Sequence, residues 1–139
     1  MASYENPWTF DGKEFDEIGS FIGFVYCVTN LTNGKRYIGK KNFYFTKTKQ
    51  IKGKKKRTKV ESDWRSYYGS NKELLADVAL HGEGNFNRNI IRLCTSKTQM
   101  SYYELREQMD NRVLESDDWY NEWIMVKVRK TRDLRDNVS

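Results

Sequence analysis

The chain has 139 residues, 32% of them charged and 37% hydrophobic, with 25 Lys and Arg against 19 Asp and Glu for a formal net charge of +6. Such a length supports one modest hydrophobic core and not two. No apolar run is long enough to cross a bilayer, and Glu5, Asp11, Glu14, Asp16 and Glu17 are unlike a secretory signal, so the expectation is an intracellular protein with no membrane partner.

In chain order, residues 1–23 read as an irregular arm carrying Pro7, Trp8, Phe10 and Phe15. One domain is expected over 24–126, interrupted by a basic insertion at about 46–60, with a charged tail over 127–139. Phe24 to Asn30 (FVYCVTN) and Lys35 to Gly39 (KRYIG) are β-branched and aromatic, and Asn33-Gly34 between them signals a tight hairpin. A two-residue turn there pairs Val28 with Gly39 and Tyr26 with Lys41. Tyr26, Tyr37 and Lys41 then share one face, with Lys40 adjacent. Strand tyrosines commonly do no more than pack, so the pair gains meaning only from the rest of the chain.

Next comes Lys47 to Lys59 (KTKQIKGKKKRTK), which has no acidic residue and is read as a loop. Its Lys47, Lys49, Lys52, Lys54, Lys55, Lys56, Arg57 and Lys59 suit a phosphate backbone. A solvated loop or a targeting tract is the plainer alternative. Ser62-Asp63 opens a short helical turn bearing Trp64, Arg65, Tyr67 and Tyr68, closed by Gly69. Ser70 or Asn71 caps a helix from Lys72 to Leu80, with an apolar stripe of Leu74, Leu75, Val78 and Ala79 and a stop at Gly82. The lone histidine, His81, falls at that helix end, where a capping or surface role is expected.

Phe86 to Cys94 (FNRNIIRLC) reads as a third strand. Ser96 and Gln99 form a capping box for a helix reaching about Leu114, with Met100, Tyr103, Met109 and Val113 inward. Ser116 to Val128 reads as a last turn and helix with Trp119, Trp123, Ile124 and Val126. Cys27 and Cys94 stand singly in strands without CxxC spacing, which argues for reduced, buried thiols and against zinc. The order β, β, α, α, β, α, α implies an α+β fold, a small three-stranded antiparallel sheet flanked by helices.

The ordered set FVY26, Y37IG, YYE104LREQ and WYN121 resembles the GIY-YIG nuclease domain over roughly residues 24–124. The first motif is written Phe-Val-Tyr where the family has Gly-Ile-Tyr, and the second matches in full. The resemblance implies a DNA endonuclease using Mg2+ or Mn2+ and leaving 5′-phosphate and 3′-hydroxyl ends, similar to stand-alone phage or mobile-element homing nucleases, whose place would be the host cytoplasm. It implies a metal-binding Glu104, a water-activating tyrosine pair with Tyr26 as the principal base and Tyr37 orienting water or phosphate, and a functional Asn121. It also implies a phosphate-contacting arginine, for which Arg65 is the first choice and Arg57 the second. Tyr68 would stand where relatives have a histidine or a further tyrosine.

The chemistry needs these residue types. Phosphodiester hydrolysis requires an activated water and neutralised phosphate charge, which a divalent cation helps to supply. Magnesium prefers oxygen ligands and keeps most of its waters, so one carboxylate with substrate phosphate suffices. Lys40 or Lys41 is expected to lower a phenol pKa. Glu107, one helical turn from Glu104, is its rival. A noncatalytic nucleic-acid module stacking bases on Trp64, Tyr67 and Tyr68 is the alternative reading. A basic interaction domain of a larger assembly is the third. Trp119 and Trp123 could support a homodimer, core packing being the preferred reading. Target selection would fall to the basic run, the arm or a targeting partner protein.

Overall fold

A computed structural model describes residues 6–124 together with Val128, Lys130 and Leu134. In chain order its elements are β1 (Thr9–Phe10), β2 (Lys13–Glu14), β3 (Gly23–Asn30), β4 (Arg36–Asn42), β5 (Tyr44–Ile51), β6 (Lys54–Glu61), α1 (Lys72–His81), β7 (Phe86–Cys94) and α2 (Lys97–Asp110). Short 3-10 turns lie at Trp64–Ser66 and Glu83–Asn85. The fold is α+β.

The three expected strands are β3, β4 and β7, with β3 central and antiparallel to both neighbours. The sheet has five strands rather than three, in the order β2-β1-β7-β3-β4, and is mixed because β1 runs parallel to β7. Two-residue strands carry no readable periodicity; what seats them is Trp8, buried against Phe24 and Tyr26 with its indole Nε1 donating to the Trp64 carbonyl at 2.6 Å. The described part of the amino-terminal arm is thereby built into the sheet.

The hairpin register differs from the expected one. Tyr26 lies opposite Gly39 and Val28 opposite Tyr37, a slip of two residues. A four-residue connection replaces the tight turn: Asn30 Oδ1 accepts from Thr32 N at 2.9 Å, and Gly34, at φ +78°, donates its N–H to the Asn30 carbonyl at 2.7 Å. Asparagine favours such a side-chain-closed turn. Because the slip is even, the side-chain faces are preserved and Tyr26, Tyr37 and Lys41 still share one.

Hydrophobic clusters cover both faces of the sheet. Trp8, Phe24, Tyr26, Phe43, Trp64, Leu74 and Ile90 belong to one, and Val25, Ile38, Cys94, Met100 and Tyr103 to the other, where α2 packs. A bulge between Val25 and Tyr26, where Ile91 of β7 is left unpaired, turns Ile90 to the first face and Cys94 to the second. Asn71 Oδ1 caps α1 by accepting from Leu74 N at 2.9 Å, and Ser96 Oγ caps α2 by accepting from Gln99 N at 3.1 Å. Gln99 completes its capping role on Thr95, whose N–H and hydroxyl it accepts. Four helix expectations need correction: Leu75 and Ala79 on α1 and Met109 on α2 are exposed, and α2 ends at Asp110 short of Leu114.

The basic stretch is not a loop. β5 and β6 form a separate two-stranded antiparallel ribbon, Lys52-Gly53 making the turn with φ +51° and +77°. Two successive positive φ values match the twist of an antiparallel pair. Residues 116–124 are not helical either. They run along the open edge of β4: Arg36 N donates to the Asp118 carbonyl at 3.0 Å, and Tyr120 N to the Arg36 carbonyl at 2.7 Å. Trp119 is buried beneath Arg36, which settles its packing in the core. Val126 and most of the expected charged tail over 127–139 lie outside the described residues. Among the described residues no helix is long and apolar enough to cross a membrane.

Candidate active site

At the β4 edge, side chains from opposite sides of the sheet meet. Tyr37 and Glu104, with Ser70, Asn71, Gln108, Asn121, Glu122 and Trp123, line a cleft of about 260 Å³. Tyr37 comes from the Tyr26 face, whereas Glu104 comes from α2 on the other, so only an edge strand could bring them together.

Gly39 is what lets the tyrosines close. An added Cβ there would lie 2.5 Å from Tyr26 Oη and 2.9 Å from Tyr37 Cε2. The two rings pack with centroids 6.2 Å apart, and Tyr67 meets Tyr26 edge-on at 5.9 Å. Tyr26 is buried, and burial first, then the Tyr67 and Tyr37 phenols, drive its pKa well above the ordinary value. Tyr37 is half-buried, its hydroxyl 3.1 Å from Ser70 Oγ, and its pKa is also raised, chiefly by burial. The lowering expected from Lys40 or Lys41 is absent. Both lysines are engaged elsewhere: Lys41 Nζ donates to Asp63 Oδ1 at 2.6 Å over the Tyr67 ring, and Lys40 Nζ to Ser101 Oγ at 2.8 Å. Both phenols are therefore protonated at neutral pH.

The Glu104 carboxyl is half-buried, and burial raises its pKa against the opposing field of Lys40. No described residue donates a hydrogen bond to it. A desolvated carboxylate facing a cleft without a donor is poised for a cation. Glu122 lines the same cleft, while no group of three or more His, Cys, Asp or Glu is assembled among the described residues. That donor set fits a hard divalent ion that retains most of its own water, held by Glu104 with Glu122 in reach of the cleft. Glu107 lines a different cleft beside Cys27, Arg36 and Trp119.

Asn121 plays a backbone role. Its Oδ1 accepts from Ile38 N at 3.1 Å and its Nδ2 donates to Ile38 O at 2.9 Å, while Gln108 Nε2 donates to the same carbonyl at 3.1 Å. Side chains thus stand in for a missing neighbouring strand at the residue between Tyr37 and Gly39.

Several expected residues lie elsewhere. Arg65 donates to Glu61 Oε2 at 3.2 Å and to the Asp16 carbonyl at 2.7 Å, and Arg57 stands exposed in mid-ribbon; neither lines the cleft. Tyr68 is buried under Arg88 and receives a hydrogen bond from Asn6 Nδ2 at 3.1 Å, so Tyr67 is the tyrosine that joins the pair. In a segment without periodicity, adjacent tyrosines give no signal to choose between them. Trp64 is 1% exposed, packed on Phe43 and Phe15, and unavailable for stacking on bases. Trp123, by contrast, is 66% exposed at the cleft rim. The basic residues from Lys47 to Lys59 are all exposed. Cys27 and Cys94 are free thiols, with Cys94 pushed up to about 11 by burial.

Residues 8–124 match a family model described as "Putative endonuclease segE, GIY-YIG domain". A phage T4 protein named "Putative endonuclease segE" is 32% identical over 98 residues, covering 70% of this chain and 39% of that protein. The chain thus spans well under half the length of this relative. No solved structure matches the chain.

Proposed function

Since the chain belongs to the GIY-YIG family of segE-type endonuclease domains, we propose that it is a divalent-metal-dependent endonuclease that hydrolyses DNA phosphodiester bonds, of the phage homing type. One observation carries the reading: the tyrosine pair and an unpartnered, desolvated carboxylate converge on one cleft at a sheet edge. Glu104 would hold Mg2+ or Mn2+. When bound, such an ion supplies charge that activates its water and neutralises the attacked phosphate.

The chain's own residues do the positioning. Tyr37 faces the cleft and orients the attacking water through its hydroxyl, with the buried Tyr26 behind it fixing the ring. No described arginine lines the cleft, and Lys40 and Lys41, two successive cations on β4, line a separate groove with Lys97, where they would contact the DNA backbone. Asn121 acts as a positioning residue, locking the β4 backbone on which Tyr37, Lys40 and Lys41 are mounted.

A noncatalytic nucleic-acid module is the second reading, favoured by the burial of Tyr26 and its raised pKa. It is weakened by the burial of Trp64 and Tyr68, which leaves only the half-buried Tyr67 of its three stacking residues. Nicking of supercoiled plasmid in Mg2+ separates the two. The parent should cut, Glu104→Ala should not, and Tyr26→Phe and Tyr37→Phe should each cut about 10² to 10⁴ times more slowly. A parent that shifts DNA in a gel without cutting it supports the binding module, and variants cutting at the parental rate remove the assigned centre.

A further inference from the structure

We propose that the β5–β6 ribbon is the sequence-reading arm of this nuclease, lying in the DNA major groove with the face of Thr48, Gln50, Lys55 and Arg57 turned to the base edges. The inference rests on the DNA-cleaving reading above and adds to it what chooses the site.

The ribbon has no intramolecular purpose. Residues 45–59 are all exposed, so nothing of the core is covered by them. A free two-stranded ribbon is marginal by itself. This one is weakened further, because Lys49 stands directly opposite Lys56 and like charges in that position repel. Such an arm makes physical sense against a polyanion.

Its register sorts the side chains into two unlike faces. Thr48 pairs with Arg57 and Gln50 with Lys55, on one side; Lys49 pairs with Lys56 and Ile51 with Lys54, with Lys47 in line, on the other. The first face carries the groups that discriminate bases, arginine to guanine O6 and N7, glutamine to adenine N6 and N7, threonine to several. The second face, completed by Thr58 opposite Lys47, carries four lysines and no arginine or glutamine, and lysine is a point charge suited to phosphates and poor at bidentate reading. The major groove, about 12 Å wide, admits a two-stranded ribbon, whereas the minor groove at about 6 Å does not. Eight-residue strands give about 26 Å of reach.

The root fixes this arm relative to the cutting cleft. Only Phe43 separates β4 from β5, and it is buried, its N–H donating to the Ile22 carbonyl at 2.9 Å. The returning strand is clamped at Ser62, whose N–H meets the Phe43 carbonyl at 2.7 Å and whose hydroxyl meets the Asn42 carbonyl at 2.6 Å. Beside the root, Lys40, Lys41, Phe45, Lys97 and Ser101 line a groove that offers a cationic track to the DNA backbone.

The test uses the full chain carrying Glu104→Ala, so that binding is read without cutting. It is incubated with a pool of randomised duplexes, and the bound fraction is sequenced. The expected result is a preferred site of several base pairs, with dimethyl sulfate protection of its guanine N7 atoms. Adding Gln50→Ala or Arg57→Ala should flatten the preference at one or two neighbouring positions, by about ten- to a hundredfold per base pair. Neutralising Lys47, Lys49, Lys54 and Lys56 to Gln should instead weaken binding to all duplexes alike and make the log K against log salt slope shallower by about 3.6. Preferences unmoved by Gln50→Ala and Arg57→Ala, or a preferred site read with no N7 protection, overturn the ribbon assignment alone. Failure of the Glu104→Ala chain to bind any duplex overturns it together with the DNA reading.

Discussion

Gly39→Ala is the sharpest probe of the tyrosine pair. The glycine is not among the residues with positive φ, so alanine fits its backbone. By restricting the unfolded chain, that change alone would stabilise by about 0.4–1 kcal/mol. Opposing it, the new Cβ would lie 2.5 Å from Tyr26 Oη, 2.8 Å from Tyr26 Cζ and 2.9 Å from Tyr37 Cε2, all inside van der Waals contact. Tyr26 cannot yield, being 1% exposed and wedged against Trp8 at 5.2 Å and Tyr67 at 5.9 Å between ring centroids. Overpacking of this kind costs about 1–3 kcal/mol and outweighs the entropic gain. A net loss of about 1–2 kcal/mol should lower Tm by about 3–10 °C, followed by circular dichroism. Tyr37, half-buried and able to swing, takes the displacement. Plasmid nicking should therefore fall more than tenfold while the fold persists. Adding Tyr26→Phe removes the 2.5 Å contact and should recover part of the stability but none of the cleavage. A Gly39→Ala chain that melts at or above the parental temperature and cuts at the parental rate refutes the packing argument.

Glu104 makes stability depend on pH. Its carboxyl titrates above the ordinary value of 4.5, so the folded chain keeps a proton that the unfolded chain has released. The stability this group contributes is complete below that ordinary value and is lost as pH rises through the raised folded value. Glu104→Gln should accordingly melt higher than the parent at neutral pH in chelator, with the difference vanishing in acid, and Mg2+ should raise the Tm of the parent only. A parental Tm indifferent to Mg2+ would count against Glu104 as the ligand. Asn121→Ala leaves Ile38 O held by Gln108 but orphans the Ile38 N–H, a loss of about 1–3 kcal/mol. Hydrogen exchange at the Ile38 amide should accelerate selectively, and an unchanged rate would show that water replaces the asparagine.

Local pattern was enough to read the hairpin faces, the third strand, the Ser96 cap and the order of the motif residues, because strand parity and cap chemistry act over a few neighbours, while the cap of α1 was narrowed only to Ser70 or Asn71. Parity even absorbed the two-residue slip at Asn33-Gly34, since an even slip leaves Tyr26 and Tyr37 on one side. Contacts between distant segments were beyond it. Nothing local shows that Trp8 seats the arm as two further strands, that Arg65 is held by Glu61 and Asp16, or that Tyr67 rather than Tyr68 turns to Tyr26. The basic run was legible as charge but not as a ribbon, because its lysines carry little strand propensity and the pairing comes from the Lys52-Gly53 turn and the clamped root. The types of residue needed for the chemistry are thus written along the chain. Their meeting at the β4 edge is a tertiary fact, since Tyr37 and Glu104 approach from opposite faces of the sheet and only closure of the whole fold around Gly39 and Asn121 brings a phenol and a carboxylate into one cleft.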